Sequence, residues 1–77
     1  MKNHPDPKYY VSGNNLYRLS ASYYDGTLKW LYHYDQYYRY WIFVGDISIN
    51  RTLRDFTDHL TKHSEQISRQ DTLAYML

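Results

Sequence analysis

The chain contains no cysteine, so no disulfide framework and no thiolate metal site can support its fold. That absence fits a reducing compartment. Glycine is scarce, with Gly13, Gly26 and Gly45 standing alone, and isolated glycines cannot form a phosphate-cradling loop. Glu65 is the one glutamate, and the aspartates fall at turns or along the C-terminal third, which speaks against a paired acid–base site. No apolar run exceeds the five residues of Tyr40 to Val44, far too short to cross a bilayer. The opening Met1-Lys2-Asn3-His4-Pro5-Asp6-Pro7 lacks the apolar stretch of a signal peptide. A cytoplasmic location follows as the expectation.

Charge of one sign is also missing. The net charge is +1, with five Lys/Arg against three Asp in residues 1–45 and four against five Asp/Glu in 46–77. This is neither a polybasic arm nor an acidic mimic of nucleic acid. What the chain has is aromatic surface: eleven tyrosines, two tryptophans and two phenylalanines among 77 residues. Tyrosine joins a large apolar body to a polar tip, which suits core edges and binding interfaces alike.

The length makes one domain, residues 1–77, close to the lower limit for a chain that folds alone. Pro5 and Pro7 mark residues 1–7 as an extended leader. Residues 8–45 are dense in Tyr, Trp, Val and Ile and carry turn signals, which predicts strands. From 46 to 77 there is no Gly or Pro, and the apolar spacing lengthens to a helical period. The expected fold is α+β: a small antiparallel sheet of three to four strands, a meander of hairpins, with one C-terminal helix packed on one face.

The strongest local signal is Tyr24-Asp25-Gly26-Thr27, since Asp-Gly favours a two-residue type I′ hairpin turn. That turn pairs Tyr23 with Leu28, Ala21 with Trp30, Leu19 with Tyr32 and Tyr17 with Tyr34, all on one face. A three-residue loop at Asp35-Gln36-Tyr37 then starts a fourth strand at Tyr38. It puts Tyr38, Tyr40, Ile42 and Val44 on the core side and Arg39, Trp41 and Phe43 outside. Ser48 or Asn50 can cap the helix, whose apolar stripe is Leu53, Phe56, Leu60 and Ile67.

One helix covers one face, so the other should be open. In this register it carries Arg18, Ser20, Ser22, Lys29, Leu31, His33, Arg39, Trp41 and Phe43. The candidate partner-binding residues are therefore Trp41, Phe43, Arg39, Arg18, Lys29, His33 and Leu31. Trp, Tyr and Arg are the types most enriched at protein-binding hot spots. Interleaved cations and aromatics on an open sheet also suit single-stranded nucleic acid. Burial of this face by the segment Leu73–Leu77, or by a second copy of the chain, is the third reading. Separately, a fourth strand with one charge and no proline invites strand addition if it lies at the sheet edge.

Catalytic patterns are poor. Asp55, His59 and His63 are spaced one helical turn apart and could offer ligands to zinc, but such spacing is generic on a solvent-facing helix. Ser20 or Ser22 with His33 forms no recognisable nucleophile–base pair. No cofactor and no membrane partner is expected. The reading is a non-enzymatic protein-binding module, with a single-stranded nucleic-acid-binding sheet or a homodimeric assembly subunit as alternatives. In size and style the chain resembles the compact accessory proteins that phages and mobile elements use to block a host enzyme, anti-CRISPR inhibitors included. That resemblance implies an inhibitor or regulator of a larger host enzyme or nucleoprotein complex, and it transfers no functional residue.

Overall fold

A computed structural model describes residues 5–77. Its elements are β1 (Lys8–Ser12), β2 (Asn15–Ala21), β3 (Leu28–Asp35), β4 (Tyr40–Asp46), α1 (Arg51–His63) and β5 (Glu65–Ile67), followed by a 3-10 helix at Gln70–Tyr75. The strands form one antiparallel sheet in the order β4-β3-β2-β1-β5. The fold is α+β, as expected. The sheet has five strands rather than three or four, because the chain after α1 returns to pair Ile67 with Tyr9 and Glu65 with Val11.

The central register differs from the expected one by a single residue. Leu19 pairs with Leu31, Arg18 with Tyr32 and Tyr17 with His33. The reason lies in the β2–β3 loop. Asp25-Gly26 does not form the centre of a two-residue turn. Ser22 and Thr27 close a wider loop, with Ser22 N–H donating to Thr27 O at 2.9 Å and Gly26 N–H to Ser22 O at 3.0 Å. Gly26 adopts the left-handed conformation that completes it, at φ 71°. Asp25 instead accepts from Thr27 N–H at 3.0 Å and pairs with the Lys29 ammonium at 3.0 Å. Ser22, wholly buried, accepts from Tyr24 N–H at 3.1 Å. An irregularity between Ser20 and Ala21 then joins the loop to the strand.

Side chains alternate along a strand, so this slip exchanges the faces of β3 relative to β2. Directly paired residues share a face. One face carries Tyr10, Tyr17, Leu19, Leu31, His33 and Ile42, and α1 lies against it. The Phe56 ring meets the Tyr17 ring edge-on with centroids 5.3 Å apart, and Leu53 occupies the space above Gly45. Tyr10, Leu19, Leu31, Thr57 and Leu60 are buried here. The opposite face carries Tyr9, Arg18, Tyr32, Tyr34, Trp41 and Phe43. The C-terminal segment covers part of it, and the Tyr34 hydroxyl donates to Met76 O at 3.4 Å. Tyr9, Leu16 and Tyr34 are buried on this side. The core is thus split between two thin layers.

The helix starts where the sequence allows. Asn50 caps it, its side-chain oxygen accepting from Leu53 N–H at 3.0 Å, while Ser48 bonds Asp46 instead. It ends at His63, well short of residue 77, where Ser64 turns extended and donates to Leu60 O. Ile67, expected on the helix stripe, lies in β5. Pairing with the free edge of β1 outweighs the weak local preference of Glu65-Gln66-Ile67.

Leu31 is fully buried at the centre of the sheet. Its replacement by alanine should lower the unfolding free energy by about 2–5 kcal/mol. Urea denaturation followed by tryptophan fluorescence measures the loss; a cost under about 1 kcal/mol would contradict this register.

Candidate functional site

The seven residues expected on one open face are divided by the structure. Arg18, Trp41 and Phe43 do share a face. Leu31 is fully buried on the opposite, helix-covered face, so it has no surface to offer. His33 also lies on the helix side, where its ring nitrogen is 3.2 Å from the Asn15 side-chain oxygen. Lys29 is held by Asp25. Arg39 is not in a strand: it ends the four-residue turn between β3 and β4 with a left-handed φ of 62°. The expected three-residue loop is therefore one residue longer, and β4 starts at Tyr40. Asp35 makes this turn possible without glycine. Its carboxylate accepts from Tyr37 N–H at 2.9 Å and Tyr38 N–H at 3.1 Å, and its carbonyl from Arg39 N–H at 2.7 Å.

Arg18 is an aromatic-caged cation. Its guanidinium carbon lies 4.3 Å from the Tyr32 ring centre and 4.7 Å from that of Trp41. Trp41 in turn contacts Tyr34 and Tyr9, with centroids 5.3 and 6.1 Å apart. Tyr9 and Tyr34 are buried, so these rings are packed together and not laid open as a platform for bases.

The exposed apolar surface lies elsewhere. β4 is an edge strand of the sheet. Phe43 is 54% exposed on one of its faces and Tyr40 53% on the other, with Ile42 and Val44 also exposed. The preceding turn adds Tyr37 at 83% and Tyr38 at 67%. Their rings pack edge-on at 4.7 Å, and Tyr38 lies 6.1 Å from Tyr40. A bulge between the pairs Leu31–Gly45 and Tyr32–Phe43 bends the strand at Val44 and leaves Tyr40–Phe43 regular. Native edges are normally blunted by lysine, proline or inward charge. Between Tyr40 and Val44 there is none of these. The charges stand at the ends: Arg39 in the turn and Asp46, whose carboxyl is held below the usual range by the Ser48 hydroxyl and backbone N–H. A second aromatic outcrop, Tyr23 and Tyr24, tops the β2–β3 loop, where Thr27 N–H and Lys29 lower the Asp25 carboxyl in the same way.

No family model, no curated protein and no solved structure matches this chain significantly. Its chemistry has to be read from its own residues.

The His59 and His63 rings stand 4.6 Å apart between centroids, yet Asp55 does not complete a set with them. No group of three metal-ligating side chains forms among the described residues. Ser20 and His33 point to opposite faces, and Ser22 is committed to Tyr24 N–H. The neighbourhood of Tyr37, Tyr38 and Tyr40 was missed as a site because the sequence put Tyr38 and Tyr40 on the core side. The strand itself reads, on its single charge and lack of proline, as open to strand addition at a sheet edge, and β4 does lie at the edge. No helix among the described residues is long and apolar enough to cross a membrane.

The two kinds of aromatic should respond differently to substitution. Trp41→Ala removes a half-buried ring and a cation–π partner and should cost about 2 kcal/mol of stability. Tyr40→Lys should change stability by no more than about 0.5 kcal/mol. Denaturant midpoints of the two variants measure the contrast, and equal losses would contradict the burial described here.

Proposed function

We propose that this domain is a non-enzymatic protein-binding module whose contact surface is the open β4 edge. The observation that carries this reading is the exposure of Tyr40, Ile42, Phe43 and Val44 on both sides of one unprotected edge strand, extended by Tyr37 and Tyr38. Main-chain groups on such an edge pair with an added strand of a partner, and alternate side chains supply specificity. Tyrosine-rich rims suit this role, since each ring brings large contact area at low conformational cost. The most concrete form of the proposal is an inhibitor or regulator that covers part of a larger enzyme. In this reading it acts by occupying surface, through the aromatic side chains exposed along the edge.

This moves the contact residues from those inferred first. Phe43 stays. Tyr37, Tyr38, Tyr40, Ile42 and Val44 join it, while Arg18 and Trp41 are taken up in packing against each other. The same edge could pair with its copy in a second chain, and concentration-dependent mass would reveal that. For single-stranded nucleic acid the structural basis is thinner, because Tyr9 and Tyr34 are packed under the C-terminal segment.

The test is capture of a stoichiometric partner from source-cell lysate by tagged protein, with nuclease present, compared with a Tyr40→Lys/Phe43→Lys double variant. Capture should survive nuclease and fall at least tenfold in the variant, with circular dichroism unchanged. Equal capture by the variant would refute the edge, and loss on nuclease treatment would transfer the role to nucleic-acid binding.

A further inference from the structure

On the face opposite α1, a pocket of about 570 Å³ opens between the sheet and the C-terminal segment. Its walls include Tyr9, Arg18, Trp41, Arg69, Leu73 and Met76. The volume falls within the range of small-ligand sites.

Three observations bear on what it would hold. First, Arg18 Nε is shielded from solvent and has no hydrogen-bond partner among the described residues. A guanidinium is charged at any physiological pH and carries N–H donors that point outward in its own plane. The rings of Tyr32 and Trp41 attract the charge, but they offer no lone pair to that N–H. Buried donors of this kind are normally satisfied, so an unmet one calls for an explanation. Second, Arg69 lines the same pocket, and no carboxylate does. The one ion pair among the described residues, Lys29–Asp25, lies elsewhere. Third, the remaining walls are largely apolar or aromatic, through Trp41, Leu73 and Met76.

We infer that this pocket is a binding site for a small organic oxyanion, with a carboxylate or phosphate head and a compact apolar or aromatic body. The head faces the Arg18 and Arg69 guanidinium groups that line the pocket. The body lies against Trp41, Leu73 and Met76. Guanidinium groups match both oxyanions through charge-assisted, in-plane hydrogen bonds. The site is separate from the exposed side chains of the β4 edge, so each can fail without the other: anion binding lost with partner capture intact, or the reverse.

The experiment is an NMR titration of uniformly labelled protein that follows the Arg18 Nε–H resonance. The probes are benzoate and phenyl phosphate, with benzyl alcohol as the uncharged control and inorganic phosphate as the head alone. Benzoate or phenyl phosphate should shift the resonance saturably, with half-saturation below about 10 mM. Benzyl alcohol should leave it unmoved, and inorganic phosphate should bind at least fivefold more weakly than phenyl phosphate. Arg69→Gln, an exposed position whose loss leaves the core intact, should weaken binding severalfold at constant ionic strength. No saturable shift with either aromatic anion would overturn the proposal. So would an equal response to benzyl alcohol, or indifference to Arg69→Gln.

Discussion

The pairing of Leu19 with Leu31 at the middle of the sheet decides what every other strand position can do. With a period of two, one residue of slip would send all of β3 to the wrong side. In the observed register the two leucines share the α1 face with Tyr10 and Leu60, and all four are buried. The same register places Arg18 opposite Tyr32, and Phe43 beyond it on β4. Tyr32 of β3 and Trp41 of β4 therefore meet around one cation on the face away from the helix. A chain this short cannot bury them under a second full helix, and the C-terminal segment covers part of them instead.

Closure of the sheet is correspondingly uneven. At one side β5 pairs with β1 over three residue pairs, and Tyr9 and Tyr10 of β1 are buried on opposite faces. At the other side β4 has no neighbour beyond it among the described residues. It is held on its inner side by β3, packed at Trp41 and Gly45, and left bare at Tyr40, Ile42, Phe43 and Val44. Bare apolar side chains along an open edge carry a solubility cost that a free monomer gains nothing from. A partner strand would relieve that cost, and the binding proposal rests on this asymmetry.

Much of the architecture was legible in the sequence. Aromatic and β-branched density located β1 to β4, the change of apolar period located α1, and Asn50 was among the two caps considered. The common face of Arg18, Trp41 and Phe43 was also read correctly. The failures have local causes. Asp25-Gly26 carries the signature of a tight turn, but Asp25 is engaged by Thr27 N–H and Lys29, and Ser22 and Thr27 widen the loop. Arg39 takes a left-handed backbone conformation that favours glycine, stabilised by Asp35, and no local propensity announces it. Ile67 continued a helical spacing in the sequence, yet it closes the sheet against Tyr9, a contact nearly sixty positions away in the chain. The two turn errors come from contacts within five residues of sequence, and the Ile67 error from a tertiary contact overriding a local preference. The site errors descend from them, since Leu31 and His33 changed faces with the register.

Amide hydrogen exchange, comparing the free domain with the domain bound to its captured protein partner, tests the central claim most directly. The account predicts new protection concentrated in Tyr40–Val44, with α1 unchanged, because an added strand engages main-chain groups that are open in the free protein. Protection gained along α1 instead, with Tyr40–Val44 exchanging as before, would place the interface on the helix and contradict the open edge as the binding surface.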